Sequence, residues 1–212
     1  MALIKNKVTQ HLAEETFDSI DSAKNSFLNN NETEENKISA IDYLINNSSM
    51  LDVLDILMEL TVDENDIKHH VYIDLVFSNF VNTKKSDADF EAMLQMLKSK
   101  NVYLRNMVIK YLQENGTDAR VFIKRLMENP DKDLRIFAIN ILGDVRFEES
   151  IEMLRYFIAQ EDDINAMMTA IDYLGEIGSC DDIDLLEAVK KEHADDPYVV
   201  FGADVAIERL RG

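Results

Sequence analysis

The chain has one cysteine, two prolines and six glycines in 212 residues, and each scarcity excludes something. A single cysteine, Cys180, cannot form an intrachain disulfide and suits a reducing compartment. Sheets joined by tight turns draw heavily on Gly and Pro, whereas long helices need neither in their interiors. A β-rich fold is therefore not expected. Basic residues are also few: 22 Lys and Arg stand against 41 Asp and Glu, a formal charge of −19. That field repels phosphate backbones and anionic lipid heads, so neither nucleic acid nor membrane is an expected partner. No run approaches the roughly 18 apolar residues that mark a membrane span. The opening Met-Ala-Leu-Ile-Lys-Asn-Lys lacks the apolar core of a secretion signal. The expected location is the cytoplasm.

What is present is helical periodicity. The apolar fraction of 46% is that of a folded chain, and apolar residues recur at i, i+3, i+4 and i+7. Leu51, Leu54, Leu57 and Met58 show it, as do Ile151, Leu154, Phe157 and Ile158. Polar breaks between these segments carry helix-start chemistry. Ser86 with Asp89 and Ser179 with Asp182 have capping-box spacing, and Asp196-Pro197 reads as an N-cap followed by a first-turn proline. Asn115-Gly116 and Gly178 read as helix stops. The segment 1–30 is helical by pattern, through Leu12, Phe17, Ile20, Phe27 and Leu28, and is expected to cap one end. Asn29 to Asn36 reads as the loop after it.

The chain also repeats itself. Ala-Ile-Asp-Tyr-Leu occurs at 40–44 and again at 170–174. The spacing of Asp131 to Gly143 recurs in Asp163 to Gly175, aligning Ala138 with Ala170 and Gly143 with Gly175. It recurs once more from Asp196, with Ala203 in the alanine place. Upstream, Leu104-Arg105 mirrors Leu134-Arg135, and Val71 or Tyr72 fills the central slot of a weaker copy. A small residue mid-helix lets a neighbouring helix approach closely. Five or six helix pairs of 30 to 36 residues are predicted, in one all-α domain over 1–212 with repeats from 36 onward. The Leu-Arg pairs and the Ala-x-x-x-Leu-Gly pattern resemble HEAT-like repeats of the phycobilisome-lyase type. That resemblance implies an α-α superhelix, a solenoid that serves as a protein-binding surface.

Candidate chemistry is sparse. His69 and His70, adjacent on a helix, point about 100° apart and grip one metal poorly. Some HEAT-repeat enzymes hold iron through His-Glu dipeptides, but here no histidine, including His11 and His193, is followed by glutamate. Asp63-Glu64-Asn65-Asp66 is acidic but departs from a calcium loop at its fifth and sixth places, Ile67 and Lys68, and reads as a helix start. Asp162-Asp163, Asp181-Asp182 and Asp195-Asp196 read as caps at turns. Cys180 has no base beside it, and the ten methionines are assigned to the core. No catalytic residue, metal ligand or cofactor is expected, and the chain is read as a non-enzyme.

Charge is unevenly spread. Residues 98–146 carry 10 basic and 6 acidic side chains, while 1–97 carry 7 and 18 and 147–212 carry 5 and 17. Arg105 and Arg135 occupy equivalent repeat positions and are expected to pair with a neighbouring unit's aspartate. Arg120, Lys124 and Arg125 fall on a second helix, and Arg155 and Tyr156 on the next. In HEAT-like solenoids second helices line the concave surface. With Lys98, these residues form the candidate partner-binding patch, for a protein bearing an acidic or phosphorylated surface. The expected function is a protein-interaction or scaffold module, acting as a monomer. The family resemblance carries an alternative, an auxiliary or chaperone-like subunit of a lyase acting on a chromophore-bearing protein.

Overall fold

The computed structural model describes residues 17–61, 66–80, 85–145 and 148–212, with the side chains of 116–118 outside the description. Leu12, His11, Asp63, Glu64 and Asn65 lie outside the described residues. Among the described residues the chain is all-α, with twelve α-helices and no strand. They are α1 (Ile20–Leu28), α2 (Glu34–Asn47), α3 (Met50–Thr61), α4 (His69–Asn79), α5 (Asp87–Leu97) and α6 (Val102–Glu114). There follow α7 (Gly116–Met127), α8 (Lys132–Val145), α9 (Ser150–Gln160), α10 (Ile164–Ile177), α11 (Ile183–Glu192) and α12 (Pro197–Arg211). A 3-10 turn at Cys180–Asp182 precedes α11. No helix of the described residues is long and apolar enough to cross a membrane.

The expected caps are in place. Ser86 accepts from the Asp89 amide while the Asp89 carboxylate accepts from the Ser86 amide, and Ser179 and Asp182 do the same. Asp163 and Asp196 cap α10 and α12, the latter with Pro197 in the first turn. Gly178 donates its amide to the Leu174 carbonyl to close α10, and a Cβ there would lie 2.5 Å from that oxygen. Asn115 separates α6 from α7, but Gly116 opens the next helix rather than trailing the last one. The N-terminal reading needs correction. Ser19 caps a helix that starts at Ile20, so Phe17 precedes it and instead packs its ring on Tyr43 at 5.7 Å. Thr33 caps α2, which makes Glu34 to Asn36 helical rather than loop.

The chain divides into two compact units at residues 111 and 112, within α6. In the first, α1 packs on α2, α2 on α4, and α3 on both α4 and α5. Its interior is aromatic: Phe27 meets Tyr72 edge-on at 5.2 Å, and Phe77 meets Tyr111 at 5.3 Å. Both tyrosines satisfy their buried hydroxyls, Tyr72 donating to Glu34 and Tyr111 to the Phe80 carbonyl. In the second unit α7 packs on α8, α8 on α10, α10 on α12, and α9 and α11 on the helices that follow them. Each unit is thus a stack of helix pairs.

Six first helices share one register. Thr33, Asp66, Asn101, Asp131, Asp163 and Asp196 each open a helix or the turn before it. Seven residues beyond each lies a fully buried side chain: Ala40, Ile73, Val108, Ala138, Ala170 and Ala203. The weak second copy therefore takes Ile73, not Val71 or Tyr72, as its central residue, and Val71 is exposed. A hydrophobic pattern alone could not choose among three successive apolar residues. Glycine sets the closest approaches. A Cβ at Gly143 would fall 2.1 Å from the Tyr173 ring, and one at Gly175 would fall 2.9 Å from Ala206 Cβ and 3.0 Å from its Cα.

Candidate functional site

In the second unit, the end of α7, the 128–130 turn and one face of α9 enclose a groove of about 670 Å³. Glu149, the residue that precedes α9, and Glu152, Tyr156 and Gln160 on it follow at helical spacing and line the groove. Met153 and Phe157, nearly buried, form its apolar floor with Met127 from α7. Tyr156 stands over that floor with 66% of its surface exposed. Lys124 from α7, Glu128 from the turn after it and Asp162 complete the lining.

One wall is fixed by an ion pair. Arg135 makes a fork to Glu161, with 2.6 Å bonds from Nε and from the second guanidinium nitrogen, and donates to the Asn129 and Pro130 carbonyls as well. The Glu161 hydrogen bonds raise the Arg135 pKa against the opposing effect of burial. Glu161 also accepts from the Asp163 amide, joining the guanidinium to the cap of α10. Arg105 reaches back to the Ser99 carbonyl, six residues earlier, as Arg135 does to Asn129. The equivalence of the two arginines holds, but the partners are a glutamate and carbonyls rather than an aspartate. Each guanidinium fastens the turn that precedes its own helix.

The expected basic patch is dispersed. Arg120 pairs with Glu149 at 2.6 Å. Arg155 pairs with Asp182, which is 1% exposed. Arg125 is exposed on α7, and Lys98 ends α5 in the first unit. Only Lys124 and Tyr156 come together in the groove. There Glu128, Glu152 and Asp162 are exposed and form no ion pair among the described residues, against the one ammonium of Lys124. The groove is thus lined by more acidic than basic side chains. An arginine's place in the sequence does not show whether a carboxylate neutralises it, as Glu149 does for Arg120 and Asp182 for Arg155. The i, i+3 spacing of Glu149 and Glu152 is visible in the sequence.

Elsewhere the candidate groups have structural partners. His70 stacks on Tyr103 at 3.6 Å with rings 6° from parallel, while His69 turns toward Tyr72, so the two diverge as expected. Burial and the hydrogen bond to Asp74 push the Tyr103 hydroxyl up to about 12. The exposed Cys180 thiol donates to the Leu210 carbonyl. Asp66 caps the turn before α4 through the Lys68 amide. No cluster of three metal-ligating side chains occurs among the described residues.

Residues 119–199, which contain the whole groove, match the family of HEAT repeats, and over that stretch the chain is similar to them. No curated protein matches the chain. HEAT repeats are, as a class, elements of protein–protein interaction and scaffolding.

Proposed function

Taking that similarity as the premise, we propose that this is a non-enzymatic interaction module that holds a partner protein in the groove between α7 and α9. The observation that carries the reading is Tyr156, an aromatic two-thirds exposed above an apolar floor of Met127, Met153 and Phe157. Exposed aromatics beside apolar depressions serve as anchors at interfaces because they bury large area for little lost side-chain entropy. Among the described residues the lining supplies anchors and charges but no serine, threonine, cysteine or histidine. Its most strongly fixed polar group, Arg135, holds a turn in place.

The test is site-specific photo-crosslinking in the native cell. A benzophenone amino acid replaces Tyr156 in one variant and the exposed Ala188 on α11 in another. A discrete protein adduct from position 156, absent from position 188, is the expected result. No adduct, or the same adducts from both positions, overturns the reading. Tyr156→Ala should leave stability within about 0.5 kcal/mol, since the side chain is exposed, while abolishing the interaction.

A further inference from the structure

We infer that the segment held in this groove is a cationic, amphipathic one: a stretch of a partner protein presenting Lys or Arg beside one or two apolar anchors. The inference rests on the interaction reading and names the chemistry of the occupant. Three exposed carboxylates, Glu128, Glu152 and Asp162, border the groove without an ion-pair partner among the described residues. The two other acids of the lining are satisfied, Glu149 by Arg120 and Glu161 by Arg135. The Lys124 ammonium opposes the three, and the Arg155 guanidinium, paired with Asp182, also acts electrostatically on Glu152. The local potential is therefore negative, and it lies in a concavity whose low-dielectric walls strengthen it.

The layout is specific. On α9 the acids occupy the N-terminal part of the lined face and Tyr156 and Gln160 the C-terminal part, with Phe157 and Met153 behind. The lined face from Glu149 to Gln160 runs about 16 Å, which matches some three turns of a partner helix. A basic side chain on that segment reaches Glu152 or Asp162 while its aliphatic stem lies on the floor. A cation beside Tyr156 also gains from the ring face. An acidic or phosphorylated segment would place its charges against the three open carboxylates, and like-charge juxtaposition is strongly disfavoured.

The test uses two fluorescein-labelled helical peptides of about 14 residues, with the same Leu and Tyr positions and either Lys or Glu at every other place. Fluorescence anisotropy with the full chain should show the Lys peptide binding about tenfold or more tighter than the Glu peptide, with affinity falling as NaCl rises. Glu152→Lys with Asp162→Lys should weaken the Lys peptide about tenfold. Asp184→Lys with Glu208→Lys makes the same change in net charge at exposed acids outside the groove, and should leave its affinity within about twofold. Equal or tighter binding of the Glu peptide overturns the proposal, as does equal loss from the distant pair. A discrete adduct at position 156, together with no preference of the chain for either peptide, would overturn the cationic chemistry and leave the interaction reading standing. Failure of both crosslinking and peptide binding would remove both.

Discussion

Two glycines in similar helical settings should respond unequally to the same methyl group. Gly175 on α10 faces Ala206, whose Cα would be 3.0 Å from an added Cβ. Backbone cannot swing aside, so α10 and α12 would have to separate. Gly175→Ala is expected to cost about 1–3 kcal/mol through overpacking, after the gain in helix propensity is counted. Gly202 on α12 faces only the terminal methyl of Met168, and methionine has the free torsions to move away. Gly202→Ala should fall within about 1 kcal/mol of the parent, in either direction. Thermal melts of the two variants check the contrast. Comparable losses would mean that the approach of α10 to α12 is not the constraint. The glycine pattern was visible in the repeats at 143 and 175. That Gly143 admits a tyrosine ring and Gly175 a backbone was not, because spacing along one helix carries no information about the helix across from it.

At the scale of an element, the start of α10 concentrates several interactions. Asp163 accepts from the Asn165 and Ala166 amides and lies 3.4 Å from Lys132. The Ala166 hydrogen bond, aided by the Lys132 charge and opposed by desolvation, holds its carboxyl below the ordinary aspartate value. A carboxyl depressed in the folded state stabilises fully above its unfolded pKa and loses that contribution as pH falls through the folded value. Asp163→Asn keeps a capping acceptor but removes the charge. The variant should melt below the parent at pH 7, and the gap should close as pH drops below about 4. A gap that persists into acid would assign the effect to the cap alone. Arg135→Ala removes the fork that neutralises Glu161, whose side chain is only 4% exposed. Leaving that carboxylate uncompensated should cost about 3 kcal/mol in chemical denaturation, whereas Arg135→Lys, charged but without the fork, should lie between. The helix starts were legible because Ser, Asp and Pro announce them locally. The ion pairs were only half legible: sequence aligned Arg105 with Arg135 but could not name Glu161, which lies 26 positions downstream.

For the whole molecule, −19 on 212 residues means that most charges repel. Salt screens that repulsion between exposed groups more than it weakens a pair such as Arg135 with Glu161. Thermal stability should therefore rise as NaCl increases from about 10 to 300 mM, over which the Debye length shortens from about 30 to below 8 Å. A falling melting temperature would show that surface pairs outweigh the repulsion. The all-α repeat class was readable from the whole sequence because periodicity, scarce Gly and Pro, and the helix-start signals at Ser86, Ser179 and Asp196 agree. The first three repeats were harder to align than the last three. In the second and third the central slot holds Ile73 and Val108, where 40, 138, 170 and 203 are alanine. Identity at that slot is lost while its burial is kept.

The joints between neighbouring helices also make the repeats non-interchangeable. The glycine slot of α8 receives the ring of Tyr173, whereas the equivalent slot of α10 receives the methyl and backbone of Ala206. A shuffled chain that set α8 directly against α12 would leave a void the size of a phenol ring, at a cost of about 3–5 kcal/mol. Deleting one repeat therefore should not shorten the stack by one step, as removing a bead shortens a string. The order of the repeats is written in side-chain volume, one joint at a time, so lineages could lengthen or trim such a chain only by rewriting both faces of the new junction together.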